Sequence, residues 1–282
     1  METPRPYDLR LGDSVRCAEA MALLGSLPDA SVPLIVADPP YGIGYHSNRH
    51  KGKNPHAPVA RDWNFQIGGF LRECGRVLAD GGALYLFTRW DVYPLWAPAV
   101  EPAGLKLRNC IAWVKNVHSS GDLAGDYGNR REEVMFCVKG RHVRRGHRWS
   151  NVWEFDRVPP TQALHPTQKP LPLVDRIVTA GSDPGDLVVD PFSGSGTTAL
   201  SARGLGRQFL VGDVDPAMVR LTRRRLGWPV EGEPGEEPLT LRYSIEEPDP
   251  AAWGVHPEDV ADLCAMLREN VAAADLFAGV PS

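Results

Sequence analysis

Asp38-Pro39-Pro40-Tyr41 places one carboxylate, free backbone carbonyls and one aromatic ring directly after the apolar run Leu34-Ile35-Val36-Ala37. Consecutive prolines carry no backbone N–H and fix φ, so the turn is stiff and helical hydrogen bonds do not use up its carbonyls. A rigid pair of acceptors beside a stacking ring suits a flat molecule that bears an exocyclic amine. A strand that merely ends in a Pro-Pro turn with a solvated Asp would show the same four letters, so the tetrapeptide takes its meaning from its neighbours.

The first neighbour is Asp190-Pro191-Phe192-Ser193-Gly194-Ser195-Gly196-Thr197-Thr198, after the apolar Leu187-Val188-Val189. Glycines where a strand turns into a helix let backbone amides approach a ligand and point at it. No Gly-Lys-Ser/Thr follows, which disfavours an NTPase phosphate loop, and Gly-x-Gly leaves the dinucleotide fingerprint incomplete. Asp213 ends the next apolar run, where a carboxylate can take both hydroxyls of a ribose. A nucleoside-bearing cofactor therefore fits better than a dinucleotide. Asp13, expected at the end of a first strand, would add an acceptor for a base amine. The second neighbour, His165-Pro166-Thr167-Gln168-Lys169-Pro170, holds polar groups between prolines just before a helix, and Lys169 there could take a ligand carboxylate.

The elements that position these residues alternate. A strand over Tyr7 to Leu11 ends at Gly12-Asp13, with a helix over Arg16 to Leu24. Strands follow at Leu34 to Ala37, Ala83 to Thr88, Asn109 to Lys115, Glu133 to Lys139, Leu187 to Val189 and Gln208 to Val211. Helices lie over Trp63 to Leu78, near Val92 to Ala99, over Leu171 to Ala180 behind Pro170, and over Thr197 to Arg203. Residues 42 to 62 lack apolar periodicity and are expected as a surface loop beside the site. Alternation of this kind predicts a doubly wound α/β sheet.

Of the 282 residues, 43% are hydrophobic and 23% charged, enough for one large core. No run approaches the ~20 apolar residues of a membrane span, and the start lacks a signal-peptide pattern, so a cytoplasmic location without membrane contact is expected. The five cysteines are scattered without a C-x-x-C pair, and no metal site is expected. Charge is unevenly spread: residues 1 to 228 carry 29 Lys and Arg against 23 Asp and Glu, a net +6, whereas residues 229 to 282 carry 2 against 12, a net −10. Within the first part, residues 104 to 148 alone reach +6, with ten basic residues against four acidic, which suits an anionic polymer. From Pro229 the chain reads as an acidic linker, Glu231 to Pro238, followed by an amphipathic helix over Val260 to Ala274.

Taken together, the Gly-Asp near the start, Ala37-Asp38-Pro39-Pro40-Tyr41-Gly42, the aromatic and basic middle from Trp113 to Trp153, His165 to Pro170, and Val189 to Thr198 resemble the S-adenosylmethionine-dependent DNA amino-methyltransferases. The resemblance spans Tyr7 to Leu226 and is to the permuted class, whose catalytic motif precedes the cofactor motif. Enzymes that methylate glutamine in proteins carry Asn-Pro-Pro-Tyr after the cofactor loop, the reverse order. The resemblance implies a Rossmann-like, mostly parallel seven-stranded sheet with one antiparallel strand, in a methyltransferase domain over 1–228 with a target-recognition insertion at about 104–158. Residues 229–282 would form an acidic, helical extension.

By the same resemblance, Asp38, Pro39, Pro40 and Tyr41 are the catalytic residues. Asp190, Phe192, Ser193, Gly194, Gly196 and Asp213 would line the S-adenosyl-L-methionine site, with Asp13 near the adenine and Thr167 and Lys169 at the methionine end. The activity implied is methyl transfer to the N6 amine of a flipped-out adenine in double-stranded DNA. Rivals are cytosine N4, whose enzymes more often carry Ser in place of Asp38, RNA as substrate, and a non-catalytic DNA-binding homologue. A homodimer and a restriction endonuclease are further partners the family allows.

Overall fold

The computed structural model describes residues 12–41, 65–118, 125, 127–165 and 167–230. The expected strand at Tyr7 to Leu11, the loop 42 to 62 and the acidic extension with its helix fall wholly or almost wholly outside these residues. In chain order the elements are β1 (Ser14–Cys17), α1 (Ala20–Gly25), β2 (Val32–Ala37), α2 (Ile67–Val77), β3 (Leu78–Thr88) and α3 (Tyr93–Trp96). Two 3-10 turns then lead to β4 (Lys106–Val114), β5 (Arg131–Val138), β6 (Val152–Glu154), α4 (Leu171–Gly181), β7 (Leu187–Asp190), α5 (Thr197–Gly204), β8 (Gln208–Asp213) and α6 (Pro216–Arg225).

The strands form one sheet in the order β1-β8-β7-β2-β3-β5-β4-β6. β5 alone runs antiparallel to its neighbours β3 and β4, and the remaining pairs are parallel. The sheet thus has the expected single antiparallel strand and one strand more than expected, the three-residue edge strand β6. Every residue of β2 and β7 is buried, as continuous apolar runs in central parallel strands require.

Side-chain alternation divides the core in two. Leu34 and Val36 of β2 face a cluster containing Leu173, Val174 and Ile177 of α4, Ala199 and Ala202 of α5, and Val219 of α6. Ile35 and Ala37 face the opposite cluster, with Leu23 and Leu24 of α1, Phe70 and Leu71 of α2, and Trp96 of α3. Each large apolar side chain removed from water contributes about 1.5–3 kcal/mol, so a one-residue slip of β2 would exchange both sets and is strongly disfavoured.

One expectation changes here. β1 occupies Ser14–Cys17 and takes the first two residues of the helix expected over Arg16 to Leu24, which begins as α1 only at Ala20; β1 pairs with β8 so that Ser14 sits opposite Leu210 and Cys17 opposite Asp213. Pairing along the exposed flank of β8 favours the strand there. The segment 104–158 supplies β4 and β5, where strands were expected, and the additional edge strand β6.

Candidate active site at the carboxyl edge of the sheet

β2 and β7 are neighbours, but β2 continues to β3 on one side and β7 to β8 on the other. The crevice above such a switch point is where open α/β sheets take ligands. Asp38 leaves β2 at this edge, Asp190 ends β7 and Asp213 ends β8. Because Thr88 pairs with Glu133, the amino end of antiparallel β5 reaches the same edge.

The glycine turn is held by its own polar groups. Asp190 is 5% exposed, and its carboxylate accepts from Thr198 Oγ1 at 2.5 Å and from the Phe192 N–H at 2.9 Å. Burial pushes its pKa up to about 7. Gly196 caps α5 with φ +81°, and a Cβ there would lie 2.5 Å from Thr222 Cγ2 of α6, so only glycine fits. Gly194 also has positive φ, but nothing lies within 4 Å of where its Cβ would be, leaving open space against the turn. Ser193 Oγ is a buried hydroxyl without a hydrogen-bond partner. Asp213 accepts the Gly194 N–H at 2.9 Å on one oxygen and the Asp215 N–H at 2.9 Å on the other, and burial raises its pKa. Each oxygen keeps a lone pair for a diol. An orphaned hydroxyl, an open cradle and this carboxylate together fit a nucleoside cofactor. The Phe192 ring leans edge-on against Phe70 and Phe65, anchoring the turn to the core.

The amine corner is built from charges. Tyr41 Oη donates to Asp38 Oδ1 at 2.7 Å, and its ring lies 6.0 Å from Trp96. The Lys169 ammonium pairs with Asp38 Oδ2, sits 3.4 Å from Glu132 Oε2 and lies 4.8 Å above the Phe87 ring. Lys115 pairs with the other Glu132 oxygen. The two flanking ammonium groups outweigh desolvation and lower the Glu132 pKa, while its neighbouring carboxylates raise that of Lys169.

Of the expected catalytic and cofactor residues, Asp13 lies away from this crevice, and Lys169 and Thr167 have partners within the protein. Asp13 stands at the other end of β1, where it accepts the Phe209 N–H at 3.3 Å. Four strand residues separate it from the Cys17–Asp213 level, roughly 13 Å, too far to reach the crevice. At the crevice end of β1, the Ala18 N–H donates to the Asp213 carbonyl at 3.0 Å, and Glu19 is the N-cap of α1. Lys169 was expected to await a ligand carboxylate and is instead committed to Asp38 and Glu132. Thr167 is exposed, its hydroxyl 3.0 Å from His165 Nδ1. Sequence reasoning missed Glu132 and Lys115; the available signal was an acidic residue opening an otherwise apolar strand.

Fold and site together define a doubly wound α/β protein in which a corner for an amine adjoins a cradle for a nucleoside. The chain belongs to the N6/N4 family of DNA methylases, whose model matches residues 32–224. It is 30% identical over 250 residues to the DNA adenine methyltransferase YhdJ of Escherichia coli K12, covering 74% of this chain and 80% of that one. The type II methyltransferase M.HpaI of Haemophilus parainfluenzae is 28% identical over 237 residues, covering 74% and 73%. Among solved structures, the M1.HpyAVI–SAM complex shares the fold with a TM-score of 0.57 at 22% identity, covering 75% of this chain and 98% of that one. The cytosine-N4-specific PvuII DNA methyltransferase gives 0.62 at 16% identity, covering 91% and 93%.

Proposed function

We propose that this DNA methyltransferase moves a methyl group from S-adenosylmethionine to the N6 amine of an adenine flipped out of duplex DNA. The observation that carries this reading is the Asp38 carboxylate, fixed at one oxygen by Tyr41 and at the other by Lys169, beside the glycine turn. The name of YhdJ and the Asp, instead of Ser, that opens the tetrapeptide favour adenine.

Bound in the cradle of Ser193, Gly194, Gly196 and Asp213, the cofactor supplies an electrophilic methyl group on a sulfonium. The amine is a weak nucleophile because its lone pair is delocalised into the ring. Asp38 and the Pro39 carbonyl each accept one N–H, which favours a pyramidal nitrogen and frees the pair for in-line attack. Tyr41 and Lys169 spare Asp38 a search over rotamers, since each oxygen retains a lone pair for the amine. After transfer the nitrogen is cationic, and the Asp38 carboxylate is the nearest anion for the proton it sheds.

DNA is assigned to the basic flank. A cavity of about 660 Å³ beside β4 and β5 is lined by Lys106, Arg108, Arg141, Arg144 and Arg148 with Tyr85, Phe136 and Trp149, and by no carboxylate. Trp149 Nε1 and His142 Nε2 in its wall are buried without a hydrogen-bond partner. Cations without counter-charges in one wall suit phosphate oxygens.

Incubating the full chain with S-adenosylmethionine and unmodified genomic DNA, followed by nucleoside mass spectrometry, tests the reading. N6-methyladenine with wild type and none with Asp38→Ala is expected. N4-methylcytosine would transfer the activity to cytosine, and no methylated nucleoside would overturn it.

A further inference from the structure

Around Asp38 the charges alternate. Asp38 holds Lys169, Lys169 approaches Glu132, and Glu132 holds Lys115, so four ionic groups from four segments sum to zero. Both ammonium groups lie 4.8 Å over aromatic rings, Phe87 for Lys169 and Trp113 for Lys115, which fixes their height. One atom in this chain is left over: Glu132 Oε2 is buried and lacks a hydrogen bond, although Lys169 Nζ stands only 3.4 Å away.

This arrangement bears on the proposed reaction, on which the inference rests. Methyl transfer creates a positive charge on the amine that Asp38 holds, and Lys169 already places one against the same carboxylate. Uncancelled, the two cations repel at close range in a partly desolvated crevice. We propose that Glu132 is a positioning residue that neutralises Lys169 and offers it a second acceptor, so that Asp38 remains available to the amine as its cationic charge develops. Glu132 touches neither substrate nor cofactor; it acts through Lys169. Its neighbour Glu133 is a built-in contrast, because strand alternation turns it to the other face, where it pairs with Arg131 at 2.9 Å.

Single-turnover methyl transfer by the full chain at saturating DNA and cofactor tests the assignment. Glu132→Gln is expected to slow the step about 100-fold, the repulsion of two unit charges about 6 Å apart at an effective dielectric near 20. S-adenosylmethionine Kd should stay within about threefold, Glu132→Asp should recover most of the rate, and Glu133→Gln should change it by less than about threefold. In a Lys169→Met background, Glu132→Gln should cost nothing further, because the cation it cancels is gone. If Glu132→Gln does not fold, the uncharged double variant carries the test, with a rate matching Lys169→Met alone. A wild-type rate in Glu132→Gln, or an equal additional loss in the Lys169→Met background, overturns the assignment. Wild type and Asp38→Ala run in parallel separate the two levels: if neither transfers methyl groups, or both do equally, the proposed function itself is at fault.

Discussion

The amine corner and the basic cavity use charge in opposite ways. In the corner every ionic group has a partner of opposite sign within a few Å, and the sum is zero. In the cavity five Lys and Arg side chains line the wall with no carboxylate among them. Paired charges are short-ranged and directional, so they hold atoms in place; unpaired charges of one sign produce a field that attracts a polyanion without fixing it. Geometry is the product of the first, affinity of the second.

That contrast can be broken by variants that move the wrong quantity. The largest effect is expected for Asp38→Ala, which should slow single-turnover transfer by about 10³-fold while leaving S-adenosylmethionine and DNA affinity nearly unchanged. A loss of DNA affinity instead would make Asp38 a binding residue. Next is Gly196→Ala, which tests the glycine turn of the cradle on the other side of the corner from the basic cavity. Left-handed strain and the contact with Thr222 together cost about 3 kcal/mol, a fall in Tm of roughly 10 °C by calorimetry. An unchanged Tm would show that α6 can move aside.

Arg108→Ala and Arg148→Ala should each weaken DNA binding about tenfold at low salt and reduce the slope of log K against log salt by roughly one. The rate on saturating DNA should hold; a fall in rate at constant affinity would place these arginines with the amine instead. The smallest effect concerns Asp190. A carboxyl whose folded-state pKa is raised from 3.8 to about 7 binds its proton more tightly when folded. Its stabilisation is therefore complete below pH about 4 and is lost as pH rises to about 7, beyond which it is flat. Asp175, also pushed up to about 7 by burial, contributes a similar slope, and burial raises Asp213 as well, so Asp190→Asn should remove part of the Tm decline between pH 4.5 and 7.5. An identical slope in the variant would mean that Thr198 and the Phe192 N–H keep Asp190 ionised.

Much of this molecule was legible in one dimension. The central strands announced themselves because burial on both faces demands unbroken apolar runs, as in Leu34–Ala37 and Leu187–Val189, which lie within the observed β2 and β7. Turn chemistry was equally local: prolines and glycines restrict or widen φ wherever they stand, so Asp38 to Tyr41 and Asp190 to Gly196 could be placed at strand ends before any fold was known. The outer strands were less legible, since β1 at Ser14–Cys17 depends on the flank of β8 for its pairing.

The sequence by itself determined the Asp-Pro-Pro-Tyr and glycine turns and the α/β alternation that brings their strand ends together, because propensity, periodicity and turn geometry act over a few residues. Only the tertiary structure decided that Asp13 lies away from the crevice and that Lys169 binds Asp38 and Glu132. Strand register and ion pairing between distant segments are set by burial and by Coulomb forces across space, and neither leaves a mark in local spacing.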